Sequence, residues 1–172
     1  MRLSEQPLIT AASIAARVEG LGMKLGGAYD GRRPLLLGVL KGASLFLADL
    51  ARAMPIELEL DFVQARSYVG DHSTGTVSFS RAEDLAVRGR DVIVVEDIID
   101  TGRTAAMLLE RIRSLSPASL ALCALLDKPS RRVVEIQPDY TGFSIDDHFV
   151  VGYGLDFDGL HRNLPAIHVM EP

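Results

Sequence analysis

Short, nearly continuous runs of Leu, Val and Ile recur along the chain, each closed by a polar or glycine-bearing turn and followed by a segment of helical period. A strand buried on both faces needs an unbroken apolar run, so the pattern predicts an α/β fold: a mainly parallel sheet flanked by helices. Residues 34–40, 91–95, 118–126 and 149–154 read as buried strands. Ile56, Leu58, Leu60 and Phe62 alternate with Glu57, Glu59 and Asp61, the period of a strand with one wetter face, nearer an edge. Helical spacing appears over 12–23, 43–54 and 105–115, the last with Met107, Leu108, Ile112 and Leu115 on one side.

A chain of 172 residues is long enough for one core and short for two, and no repeat or Pro/Ser-rich linker divides it, so residues 1–172 read as a single domain. A net charge of -5 argues against a nucleic-acid partner, which needs clustered Lys and Arg. No apolar run reaches the roughly 20 residues that cross a bilayer, and the first ten residues carry Arg2, Glu5 and Pro7 where a secretion signal needs an apolar stretch. The expectation is a cytoplasmic protein with no membrane partner. Cys123, the single cysteine, sits in an apolar run and reads as a buried filler. His72, His148, His161 and His168 share no metal-ligand spacing. Residues 67–80 are polar and glycine-containing, the composition of a lid or of a plain loop.

The chemistry concentrates after the run Val92–Val95, where the chain continues Glu96-Asp97-Ile98-Ile99-Asp100-Thr101-Gly102-Arg103-Thr104 before a helical pattern begins. In open parallel sheets ligands sit beyond the carboxyl ends of the strands, which is where a turn after residue 95 would place these side chains. A Thr/Gly turn entering a helix offers free backbone N–H groups, two hydroxyls and the positive end of the helix dipole to a phosphate. Acids just upstream would repel a bare phosphate unless they serve ribose hydroxyls, a magnesium ion or a proton in transit. A single Asp before a helix is commonly only a cap; the whole string after a β-branched strand is better explained by a phosphorylated sugar carrying magnesium. The dinucleotide and P-loop glycine patterns are absent.

The string Val-Glu-Asp-Ile-Ile-Asp-Thr-Gly resembles the phosphoribosyltransferases, in particular their hypoxanthine-guanine branch. Leu40-Lys41-Gly42-Ala43 is similar to that family's first pyrophosphate loop, Ser67-Tyr68 to its lid dipeptide, Lys128 to its purine-contacting lysine, and residues 149–156 to its purine-stacking segment, in the right order. The resemblance covers residues 34–165 and implies the type I phosphoribosyltransferase fold with a small hood over the purine site. It implies transfer of a phosphoribosyl group from phosphoribosyl pyrophosphate to a 6-oxopurine, hypoxanthine or guanine, with Mg2+, in a homodimer or homotetramer.

The roles it implies are specific. Lys41, Gly42 and Arg162 meet pyrophosphate; Glu96 and Asp97 hold the sugar hydroxyls and metal; Thr101, Gly102, Arg103 and Thr104 hold the 5′-phosphate, with Arg103 where many relatives have lysine. Asp100 takes the purine proton, Lys128 bonds the 6-oxo group, Phe149 stacks on the base and the Val150 backbone reads its edge. Asp156 borders the base and binds a second metal. Ser67 and Tyr68 close over the reacting sugar. Two other readings stay open: a phosphoribosyl-pyrophosphate sensor on the same fold, which should carry a basic face for RNA, and an enzyme that takes xanthine.

Overall fold

The computed structural model describes residues 1–67, 77–80 and 85–171, with the backbone alone at 66, 67, 77, 78 and 80. Strands β1 (Arg2–Leu3), β2 (Leu35–Leu40), β3 (Glu59–Ser67), β4 (Val77–Ser80), β5 (Asp91–Ile99), β6 (Ser119–Asp127), β7 (Tyr140–Ser144), β8 (Val150–Val151) and β9 (His168–Glu171) are joined with helices α1 (Ala11–Ala28), α2 (Ser44–Ala53) and α3 (Arg103–Ser114). The main sheet has the order β4-β3-β2-β5-β6-β7, parallel throughout except for the edge strand β4.

Alternation along the central strands assigns each helix to a face. Leu36, Ile93, Val95, Cys123 and Leu125 pack with α1 and α2, whereas Leu35, Leu37, Val92, Val94 and Leu122 pack with α3. Helix α1 presents Ile14, Val18, Leu21 and Leu25 at helical spacing, and Thr10 caps it by accepting the Ser13 N–H on Oγ1 at 3.2 Å. Burial pushes the Cys123 thiol up to about 12, which keeps it protonated and makes it a packing residue, as its setting in the sequence indicates. Phe46 of α2 is fully buried between helices and sheet. Phe46→Ala is expected to cost about 3–5 kcal/mol, read as a lower urea midpoint with an unchanged slope.

Several expectations need correction. The strand read as ending at Val95 continues to Ile99, because Glu96, Ile98 and Ile99 pair with Ala124, Leu126 and Asp127 of β6; the first two acids therefore lie on a strand end, not in a turn. Residues 149–154 do not join the main sheet. Only Val150 and Val151 are extended, since Gly152, Tyr153 and Gly154 all have positive φ, and β8 belongs to a separate antiparallel sheet of order β1-β9-β8. That small sheet ties the chain ends together, with Arg2 opposite Glu171 and Leu3 opposite Met170. Within the expected loop 67–80, residues 77–80 form β4 against β3, so β3 is not itself the edge.

Candidate functional site

The parallel strands deliver their carboxyl ends to one side of the sheet, and the expected site residues leave from four of those ends and from the small sheet. After β2, Lys41 is exposed and Gly42 buried; a cis peptide bond joins Leu40 to Lys41. A Cβ on Gly42 would lie 1.5 Å from Asp97 Oδ2, so the loop after β2 and the acid at the end of β5 fit together only because this residue has no side chain.

At the end of β5, Glu96 is buried and Asp97 partly so. Burial, and then repulsion by Asp97, raises the Glu96 carboxyl well above the usual carboxylate range. Burial likewise pushes Asp97 up to about 6, against the pull of the Ile98 N–H, which donates to Oδ1 at 2.8 Å, and of the Arg162 guanidinium. Asp156 pushes the same carboxyl up. The folded chain therefore binds protons that the unfolded chain releases near the ordinary value of about 4, and stability falls as pH rises through that window. With chelator present, Glu96→Gln is expected to stabilise the protein relative to wild type by an increment that grows from pH 5 to pH 8, read from melting temperatures.

The next turn leads from β5 into α3. Gly102 adopts φ +83° as the residue before α3, a left-handed conformation that a Cβ would also oppose by meeting Ile136 at 2.5 Å. Gly102 has no side chain with which to cap α3 and the first turn carries no acid; Thr101 Oγ1 accepts only the Arg103 N–H, at 3.5 Å, so the helix start remains suited to an anion. A cavity of about 100 Å³ opens there, lined by Glu96, Ile98, Asp100, Thr101, Gly102 and Thr104. Arg103 points into solvent. A wider groove of about 560 Å³ between α1 and β7, lined by Arg17, Lys24 and Phe143 among others, contains no acid.

The remaining expected residues lie at the end of β6 and in and after the small sheet. Lys128, at the end of β6, is 6% exposed and its N–H donates to Ile99 O at 3.0 Å, which brings it beside Asp100. Phe149 is 46% exposed, an unusual setting for a large apolar ring, and meets Phe157 edge-on with centroids 5.7 Å apart. Val150 is buried and pairs with Val169. Arg162 donates to Gly154 O at 2.5 Å and pairs with Asp156, whose Oδ2 accepts the Gly159 N–H at 2.8 Å.

Residues 9–158 match the family model described as a phosphoribosyl transferase domain. The chain belongs to the phosphoribosyltransferase family. It is 44% identical to a hypoxanthine-guanine phosphoribosyltransferase of Lactococcus lactis, over 98% of this chain and 92% of the relative. It is also 44% identical to the bifunctional protein TilS/HprT of Listeria monocytogenes, but there the chain spans only 26% of the relative's length. A solved hypoxanthine-guanine phosphoribosyltransferase of Bacillus anthracis superposes with a TM-score of 0.92 at 37% identity, covering 99% of this chain and all of that one. The resemblance read from the motifs and the type I phosphoribosyltransferase fold are both borne out.

Within this phosphoribosyltransferase site, Tyr68 lies outside the described residues, and Ser67 ends β3. Three residues escaped the reading of the sequence. Arg131 Nε donates to Asp100 Oδ1 at 3.1 Å; Arg132 donates to Asp100 O at 2.6 Å and pairs with Asp127, fastening the turn after β5 to the end of β6. Tyr153 donates to Asp49 Oδ2 at 2.5 Å, linking the segment after β8 to α2. The available signal was the run Lys128-Pro-Ser-Arg-Arg132, a local concentration of cations in an acidic protein.

Proposed function

We propose that the protein transfers the 5-phosphoribosyl group of phosphoribosyl pyrophosphate to hypoxanthine or guanine, giving IMP or GMP and pyrophosphate, a purine-salvage reaction. The observation that carries this reading is the meeting, at one end of the sheet, of the start of α3, the acids Glu96 and Asp97 at the end of β5, and a buried Lys128 beside Asp100.

In the reaction a purine ring nitrogen bonds to C1 of the sugar while the bond from C1 to the pyrophosphate oxygen breaks, and a ring proton passes to Asp100. The backbone at the start of α3, with Thr101 and Thr104, holds the 5′-phosphate, while Lys41, Gly42 and Arg162 receive the departing pyrophosphate. Glu96 and Asp97 fix the ribose hydroxyls and favour the positive charge that develops on the sugar. Lys128 donates to the 6-oxo group, Phe149 covers the face of the base, and the Val150 backbone meets its edge.

The donor set also fits magnesium. Glu96 and Asp97 are hard oxygen ligands forced together, and no group of three or more potential ligands surrounds them among the described residues. Mg2+ is commonly held by one or two carboxylates plus substrate phosphates, so the pair suits an ion that arrives with phosphoribosyl pyrophosphate, with Asp156 near enough to serve pyrophosphate and a second ion. When bound, the metal neutralises phosphate charge and polarises the leaving group.

The same reading assigns Ser67 and Tyr68 to a lid and places the enzyme in the cytoplasm. No helix among the described residues is long and apolar enough to cross a membrane. It also assigns a homodimer or homotetramer; exposed Leu45 and Leu60 offer apolar surface for a subunit contact, and light scattering on the purified protein gives the copy number.

The test is one assay: protein, Mg2+ and phosphoribosyl pyrophosphate with hypoxanthine, guanine, xanthine or adenine, following nucleotide and pyrophosphate. Product with the 6-oxopurines and little with adenine supports the proposal. No product with any base replaces it with a sensor of phosphoribosyl pyrophosphate.

A further inference from the structure

A 6-oxopurine presents N7 and O6 side by side on one edge, so a site that takes a proton from one and donates to the other needs an acid next to a cation. Strand register supplies that placement. Ile99 of β5 lies opposite Asp127 of β6, so Asp100 and Lys128 leave adjacent strands together. Opposite charges so placed would be expected to pair directly, using up the Asp100 lone pairs and the Lys128 hydrogens that the base requires.

They do not pair. The Asp100 carboxylate takes Arg131 Nε at 3.1 Å, and Lys128 Nζ lies 3.8 Å from Asp147 Oδ1. Arg131 Nη1 lies 3.6 Å from the other oxygen of Asp147, which completes a chain of alternating charge: Asp100, Arg131, Asp147, Lys128. A short 3-10 turn at Pro129–Arg131, in which the Arg131 N–H donates to Lys128 O, folds Arg131 back over the strand ends to make this possible. Arg131, Asp147 and Asp100 are all well exposed, at 48%, 54% and 41% of their side chains. Pairs so exposed contribute little to folding, so stability gives no reason for the two contacts of Arg131; only Lys128, with its side chain 7% exposed, gains from a partner.

We infer that Arg131 and Asp147 are positioning residues that hold Asp100 and Lys128 apart in the empty site, so that the N7 and O6 edge of a 6-oxopurine can enter between them. The inference rests on the proposed transfer to hypoxanthine and adds two residues that set its affinity. Arg131 holds Asp100 towards its own side, Asp147 holds Lys128 towards the other, and the Arg131 to Asp147 contact makes the two act as one unit.

Steady-state kinetics of Arg131→Ala, Asp147→Asn and the double variant test this, with hypoxanthine and phosphoribosyl pyrophosphate varied in turn. Each single variant is expected to raise the hypoxanthine KM about tenfold, the loss of one charge-assisted contact. The KM for phosphoribosyl pyrophosphate should stay within about twofold, and the double variant should resemble the singles because they act as a unit. Arg131→Lys should recover part of the loss, having the charge without the planar fork. A hypoxanthine KM within about twofold of wild type in either single variant overturns the inference. So does an equal rise in both KM values, or a double variant equal to the product of the singles. Asp147→Asn, isosteric at an exposed position, keeps the test open should Arg131→Ala not fold. A wild-type protein that forms no nucleotide overturns the proposed function and this inference together, whereas unchanged KM values in an active series overturn the inference alone.

Discussion

Asp100→Ala is expected to lower kcat/KM for hypoxanthine by about two to four powers of ten, the usual worth of a positioned proton acceptor. The side chain is well placed for that loss to be clean. Its carboxylate is 41% exposed and bonded to Arg131, a surface pair whose removal costs folding about 0–1 kcal/mol. The tie that anchors this turn to β6 runs through the Asp100 carbonyl, which receives Arg132 and survives the substitution. Melting should therefore be nearly unchanged while turnover collapses. Asp100→Asn sharpens the test, for it keeps the shape and a hydrogen-bond acceptor but cannot take up the proton, and should be almost as slow as the alanine variant. Nucleotide formation near the wild-type rate in either variant would remove Asp100 from the proton path and leave it a binding group.

The contrast between Asp100 and Arg131 shows what a sequence of this kind discloses. Asp100 is legible because it sits inside one contiguous string whose members are proposed to serve a single ligand, and chain order alone brings them together. The apolar runs of β2, β5 and β6 are legible for a similar reason: burial on both faces leaves its mark on every residue. Arg131 and Asp147 meet Asp100 and Lys128 only through strand register and a 3-10 turn, neither of which leaves a periodic trace. Strand β7 is an edge, and Tyr-Thr-Gly-Phe-Ser lacks the unbroken apolar run that marks its neighbours. Strands β1 and β9 are too short to show a period, yet they close the small sheet that carries Val150. Glu96 and Asp97 looked like a turn because buried acids are rare in strands. Here the strand runs on because β6 continues to pair with it, and the energetic strain falls on the carboxyls' protonation instead of on the backbone.

Gly42→Ala should damage the site far more than the fold. Its Cβ would lie 1.5 Å from Asp97 Oδ2 and 2.5 Å from Asp97 Cγ, so one of the two groups has to leave. The Asp97 carboxylate is the end of a side chain and can rotate, breaking its bond from the Ile98 N–H, and so the chain still folds. What is lost is placement: the acid assigned to sugar and metal moves by more than 1 Å, or the pyrophosphate loop moves instead. Displacement of that size in a preorganised site can cost about 100-fold, and the expected loss in kcat/KM for phosphoribosyl pyrophosphate is of that order. A double variant separates clash from simple loss of the glycine. If the methyl acts by expelling Asp97, then Gly42→Ala added to Asp97→Ala has no acid left to displace, and the pair should be little slower than Asp97→Ala alone. Multiplying effects in the double variant would show that Gly42 serves the loop's own backbone, independently of the acid it touches.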